Sequence, residues 1–216
     1  MSELVTAFQG PVRGADRAVL LAHGAGAGMD APALTVVADA LEAAGIPSMR
    51  FEFPYRTAGR RSPDRPAVLE GATRAAVAEL ASRSGLPNER LVLGGRSMGG
   101  RYCSMIVGAE TDAVPALGLL MLGYPLHAAG KPERRRDEHF PRITCPVLFV
   151  SGTRDSLAPR EGLTQASAVV AGPVTLHWLE TADHGFKPLK ASGTTIDDVL
   201  GDVADTSVAW VKALAR

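Results

Sequence analysis

Gly95-Arg96-Ser97-Met98-Gly99 sets a serine between two glycines, at the end of the apolar run "LVLGG" and ahead of "GGRYCSMIV", a stretch suited to a helix. These residue types at this spacing fit one chemistry. A serine on a strained strand-to-helix turn presents its hydroxyl as a nucleophile, and such a turn requires that the side chains two positions to either side be nearly absent. The plainer reading is an ordinary turn in a chain holding 23 glycines. A strand before the motif and a helix after it favour the nucleophile.

A serine hydroxyl is a poor nucleophile at neutral pH without a base, and the base needs an acid to orient it. Of five histidines, His177 falls inside an apolar run, His127 and His139 sit in a long loop, and His23 precedes the serine at a strand end. His184, in "TADHGF" beyond the last strand-like run, can swing its imidazole over the edge of a sheet. In the chain order serine, acid, histidine, the acid is Asp155, three residues beyond the run "PVLFVSG". Asp112, Asp137 and Asp183 read as surface carboxylates. Two backbone N–H groups should face the developing oxyanion: that of Met98 at the helix start, and that of Ala25, with Gly24 as the alternative, in "LLAHGAGAG". "HGAGAG" also admits a phosphate-cradling reading, but it lacks the P-loop lysine and the G-x-G-x-x-G spacing.

These groups converge only if the chain builds a sheet whose strands end together. Strand-like runs at 17–23, 48–53, 90–95, 116–123, 146–152 and 174–180 alternate with helical patterns, and 4–9 suggests an edge strand. The pattern predicts an α/β fold, a doubly wound, mainly parallel sheet of about seven strands, in a single domain spanning 1–216. Leu34, Val37, Ala38 and Leu41 mark a helix with Asp30 as its N-cap, Pro32 in its first turn and Gly45 as its stop. Leu69, Ala72, Ala76 and Leu80 mark another that stops at Gly85. A third carries Ile196, Val199, Leu200, Val203, Trp210, Val211 and Leu214 behind a capping-box-like Thr195 and Asp198. The irregular segments 54–66 and 124–142 follow strands, so they are expected to wall the ligand crevice.

The 23 basic and 23 acidic residues cancel, which removes the electrostatic case for nucleic acid as a partner. The N-terminus has no apolar leader and no run approaches a membrane span, so a cytoplasmic protein without membrane attachment is expected. Cys103 and Cys145 lack metal or redox spacing and read as free thiols; no metal and no cofactor is expected.

The sequence resembles the α/β-hydrolase superfamily, and within it the small, lidless dienelactone-hydrolase-like proteins. "LLAHGAGAGMD", "GGRSMGGR", "GYPLHAAGKPERRRDEHF", "LFVSGTRDSL" and "HWLETADHGFKP" are similar to motifs of bacterial predicted hydrolases related to testis-expressed and histone-acetyltransferase-complex hydrolase-like proteins. The resemblance implies esterase-like chemistry: Ser97 attacks an acyl carbonyl, His184 shuttles the proton and Asp155 holds the imidazole. This chain has serine where dienelactone hydrolase itself has cysteine, so its cyclic substrate is not carried over. Two rival roles remain open, a catalytically idle fold used for binding or assembly, and acyl transfer by the same three residues.

Only about 22 residues join the fourth and fifth central runs, too few for a cap domain. A small-molecule acyl substrate, an ester or thioester, and a monomer or homodimer are expected. Arg56 and Arg96 are candidates for binding an anion on the substrate. Tyr124, at a strand end, is the aromatic candidate for the pocket, whereas Trp178 reads as core, and Arg134–Arg136 read as solvated charge beside Glu133, Asp137 and Glu138.

Overall fold

The computed structural model describes residues 4–12 and 14–215. Residues 1–3, 13 and 216 of the expected domain lie outside them. The strands are β1 (Thr6–Gln9), β2 (Ala18–Ala22), β3 (Ser48–Phe51), β4 (Leu91–Arg96), β5 (Gly118–Leu122), β6 (His127–Ala128), β7 (Lys131–Arg135), β8 (Val147–Gly152) and β9 (Val174–Leu179). Seven of them form one sheet in the order β1-β3-β2-β4-β5-β8-β9. β1 is the expected edge strand and the one antiparallel member; every other neighbouring pair in this sheet is parallel.

The central strands read as unbroken apolar runs because both faces are covered. Val19, Leu21, Val92, Leu120, Leu122, Leu148 and Val150 face one way, into the layer formed by α1 (Pro32–Ala43) and α6 (Ile196–Ala213). Leu20, Ala22, Leu91, Leu93, Met121 and Phe149 face the other, into the layer of α3 (Pro66–Ser84) and α4 (Met98–Val107). The two-residue period of a strand therefore divides one sequence pattern between two cores. No helix among the described residues is long and apolar enough to cross a membrane.

Helix boundaries follow local chemistry. Pro32 opens α1 as expected, but Asp30 is not its cap. The N-cap is Ala31, and Asp30 instead accepts a hydrogen bond from Arg50 Nη1 on β3 at 2.8 Å, an ion pair that draws the carboxylate away from the helix end. α3 stops at Gly85 in the left-handed conformation. Thr195 and Asp198 form the capping box of α6, with reciprocal bonds of 3.1 and 2.8 Å. Val199, Val203, Ala204 and Val211 are buried, whereas Ile196, in the first turn of α6, is 40% exposed.

Segment 124–142 is not irregular throughout. β6 and β7 pair antiparallel in a small hairpin, and among the described residues this connection contains no helical cap. Its far end is tied down by His139, 7% exposed, whose Nε2 lies 2.8 Å from Ser104 Oγ on α4. The Ser104 hydroxyl donates to the Arg101 carbonyl at 2.8 Å, so the imidazole N–H is the donor to Ser104. The neighbouring segment 54–66 begins with the short helix α2 (Pro54–Thr57).

Burial first, then the charges of Arg101 and Arg142, lower His139 to about 4 from an ordinary 6.5, and burial lowers His23 as well. Unfolded, both imidazoles take up protons near 6.5, whereas folded they do so only at lower pH. The unfolded chain thus binds more protons in between, and for His139 stability present above about pH 6.5 is lost toward pH 4 by roughly 1.4 kcal/mol per pH unit, with His23 acting in the same direction. Urea melts should show a falling midpoint from pH 7 to pH 5, with a shallower fall in His139→Gln; an equal slope in the variant would remove His139 from this account.

Candidate active site

Ser97 stands between β4 and α4 with φ 50° and ψ −114°, a conformation that a residue with a side chain rarely adopts. Its neighbours make this possible by absence. A Cβ on Gly95 would lie 2.1 Å from the Ala22 carbonyl oxygen and one on Gly99 2.3 Å from the same atom, so both glycines let the turn press on the end of β2. The Ser97 N–H donates to the Leu122 carbonyl at 2.9 Å, which pins the turn to β5 on its other side.

His184 Nε2 lies 3.0 Å from Ser97 Oγ, and His184 Nδ1 lies 2.7 Å from Asp155 Oδ2. The three side chains predicted from separate motifs thus meet in one hydrogen-bonded line. Asp155 is 2% exposed, and its other oxygen accepts the Leu157 N–H at 2.8 Å, so both lone-pair faces are held. The loop carrying His184 is stapled by a residue that the sequence suggested was only solvated: Asp183 Oδ1 accepts from the N–H groups of Gly185, 2.7 Å, and Lys187, 3.0 Å. Phe186, fully buried with φ 65°, anchors the same loop below.

Met98 is the first residue of α4, where backbone N–H groups have no partner inside the helix. Gly24 and Ala25 border the same cavity as Ser97 and His184, and a Cβ on Gly24 would lie 3.5 Å from Ser97 Cβ. The Gly24 carbonyl accepts from His23 Nδ1 at 2.8 Å and from the Ala27 N–H at 3.2 Å. That carbonyl shares a rigid peptide plane with the Ala25 N–H, so His23 sets where the Ala25 donor points. His23 is fully buried, and its Nε2 accepts the Phe53 N–H at 3.1 Å. Glu52 Oε2 also lies 3.3 Å from Nε2, but burial holds the imidazole neutral and its lone pair is already engaged, so this is not an ion pair. Tyr55, whose phenol burial pushes up to about 12, stays protonated and donates to the Ala25 carbonyl at 2.9 Å. Neither His23 nor Tyr55 is singled out by a motif; the signal for His23 was its place at the end of the first central strand.

The candidate substrate contacts separate. Arg96 borders the cavity, but its guanidinium lies 4.4 Å from the Phe186 ring centroid and donates to the Leu122 carbonyl at 3.2 Å. Burial brings it down to about 10, opposed by Asp155 and Asp183. It therefore links the serine turn to the histidine loop. Arg56 is exposed at the end of α2 and lines neither cavity beside Ser97. Tyr124 is a correction: the left-handed turn at Gly123, φ 61°, sends it inward, where it is 1% exposed, packs edge-on against Phe140 and Phe149, and donates to the Arg136 carbonyl. Trp178 is half-buried, with the Arg160 guanidinium 5.1 Å from its ring centroid.

The cavity over Ser97 has a volume of about 530 Å³, with Leu157, Lys187, Ile196 and Leu200 completing walls that are mostly apolar. Ile196 and Leu200, expected in the helix core, face this space.

Solved structures share the fold. Dienelactone hydrolase from Anabaena variabilis is 21% identical, with 99% of this chain and 93% of that one covered and a TM-score of 0.71. A monoacylglycerol lipase from Paleococcus ferrophilus is 18% identical over 99% and 100% of the two chains, with a TM-score of 0.71. An alpha-beta serine hydrolase homologue from Coxiella burnetii is 18% identical over 96% of each, with a TM-score of 0.66. At these identities the likeness is one of fold. The model of the alpha/beta hydrolase domain family matches residues 15–212, nearly the whole sheet with its helices, and the chain belongs to that family.

Proposed function

We propose that the chain is a single-domain serine hydrolase of small carboxylic esters or thioesters, with Ser97 as nucleophile, His184 as general base and Asp155 as its orienting acid. The observation that carries the reading is the unbroken line from Ser97 Oγ through His184 to Asp155, at 3.0 and 2.7 Å. Structures of the same fold include Est1E from Butyrivibrio proteoclasticus with ferulic acid bound and a monoacylglycerol lipase, which accords with an ester as substrate.

In this mechanism the Ser97 oxygen attacks the acyl carbonyl while its proton passes to His184 Nε2. The Nδ1–H stays with the imidazole and donates to Asp155, which steadies the imidazolium. The carbonyl oxygen, now an oxyanion, meets the N–H groups of Met98 and Ala25, each such donor contributing on the order of 3 kcal/mol to the barrier. When the intermediate collapses, His184 gives its proton to the leaving oxygen or sulfur. Water then enters, losing a proton to His184 as it attacks the acyl carbon, and His184 passes that proton to Ser97 Oγ as the bond from Oγ to the acyl carbon breaks and the acid leaves. A strained serine turn has no use in a protein that only binds, which weighs against an idle scaffold.

A small acyl substrate suits a cleft that no cap covers, and we place the enzyme in the cytoplasm, as a monomer or homodimer acting on neither nucleic acid nor membrane. Wild-type protein should react with a fluorophosphonate probe and Ser97→Ala should not, its kcat on a p-nitrophenyl ester falling by on the order of 10⁴-fold or more. Labelling that persists in Ser97→Ala would reject the assignment. The acetate ester should be turned over faster than the palmitate, and the reverse order would refute a small-acyl site. Arg96→Met keeps the bulk under Phe186 but loses the charge and its donors, so kcat on neutral esters should fall by about tenfold, equivalent to roughly 1.4 kcal/mol, with little change in KM. A loss confined to anionic esters would make Arg96 a substrate contact instead.

A further inference from the structure

Beside Ser97 the cleft divides. A second lobe of about 360 Å³ shares Ala25, Ser97 and Leu157 with the larger one, and its own walls include Met98, Arg101 and Arg136. His184 borders the larger lobe alone. On the mechanism proposed above, the proton held by His184 goes to the leaving group, so the leaving group lies on the His184 side. The acyl group then extends into the second lobe.

The charges in that lobe are not balanced by their neighbours. Arg135 pairs with Asp137 and Arg134 reaches Glu133 at 4.0 Å, but among the described residues no carboxylate lies within 4.0 Å of the side-chain nitrogens of Arg101 or Arg136. Arg101 Nε is buried with no hydrogen-bond partner, while its guanidinium lies 5.4 Å from the Tyr102 ring centroid. Among the described residues the one acid on this wall is Asp64; its Oδ1 pairs with Arg60 at 2.6 Å, and its Oδ2 is buried without a hydrogen-bond partner, more than 4.0 Å from the nitrogens of Arg101 and Arg136. Arg136 is lowered by burial and next by the charge of Arg101, so the two cations feel one another. Two like charges drawn partly out of water with no counter-ion are unfavourable as they stand, and a planar guanidinium relieves this best with a carboxylate. A solvated loop would leave both arginines free to turn outward; here both are half-buried on the wall of the site.

We propose that Arg101 and Arg136 form a subsite for a carboxylate at the far end of a short acyl group, so that the preferred substrates are half-esters of dicarboxylic acids. This rests on the serine-hydrolase reading and assigns its acyl side. Monoethyl adipate and its neutral counterpart, ethyl adipamate, differ only at that far end and can be followed by ethanol release. Wild type should favour the half-ester in kcat/KM by about tenfold or more, since a charge-assisted pair is replaced by a neutral contact. The preference should shrink in Arg101→Gln and in Arg136→Gln and vanish in the double variant. A wild-type ratio near one, or a ratio that survives the double substitution, would overturn the subsite. Turnover of ethyl adipamate that persists in Ser97→Ala would instead break the hydrolase reading. If wild type cleaves neither ester, calorimetric titration of Ser97→Ala with adipate reads the subsite alone: saturable binding lost in the double variant supports it, and no binding overturns it.

Discussion

The contact on which the site depends is steric. The serine turn presses against the Ala22 carbonyl at the end of β2, a distance that only hydrogen at positions 95 and 99 permits. Ser97 there adopts neither helical nor extended backbone, at φ 50°, and its hydroxyl lies 3.0 Å from His184 Nε2. The contact also brings the end of β2, and with it the loop 23–28, beside Ser97. One constraint in the backbone therefore places both the hydroxyl that we read as the nucleophile and the peptide that we read as its oxyanion donor.

Electrostatics completes what the turn begins. Asp155 is buried but never isolated: one oxygen faces His184 and the other a backbone N–H, so its charge is held by hydrogen bonds rather than by a salt bridge. His23 is the complementary case, a buried imidazole kept neutral, whose two nitrogens join the Gly24 carbonyl to the Phe53 N–H. Arg96 spans from the end of β5 to Phe186 and couples the serine turn to the histidine loop. Each of these groups has at least one partner on another strand end or loop: His184 for Asp155, Phe53 for His23, Leu122 and Phe186 for Arg96.

Much of this was legible in the sequence, since each element depended on short-range rules. The apolar runs marked the seven strands of the sheet, and Gly85 and Thr195 marked helix ends through conformations that these residues favour. Ser97, Asp155 and His184 could be picked out because strands in a parallel sheet deliver their following loops to one edge. What could not be read depended on direction within a loop. Tyr124 follows a strand, as a pocket residue should, yet Gly123 turns it into the core. Arg56 and Arg136 lie in equally irregular, arginine-rich segments, and only the β6–β7 hairpin decides that Arg136 reaches the cleft. Asp30 had the right type and position for a cap, but Arg50, distant in sequence, claimed it.

The elements that fix the chemistry and those that shape the cleft are held by different contacts. Ser97, Asp155 and the peptide of Ala25 are anchored downward, into strand ends and the buried residues beneath them. The cleft walls include the hairpin segment, tied to α4 through His139 and Ser104, the first turn of α6, held by the Thr195–Asp198 box, and the starts of α1 and α3. Neither tie passes through the serine turn. Arg136, Ile196 and Leu200 line the cleft without belonging to the Ser97–His184–Asp155 line, so on the reading proposed above the two lobes, rather than those three side chains, select the acyl group.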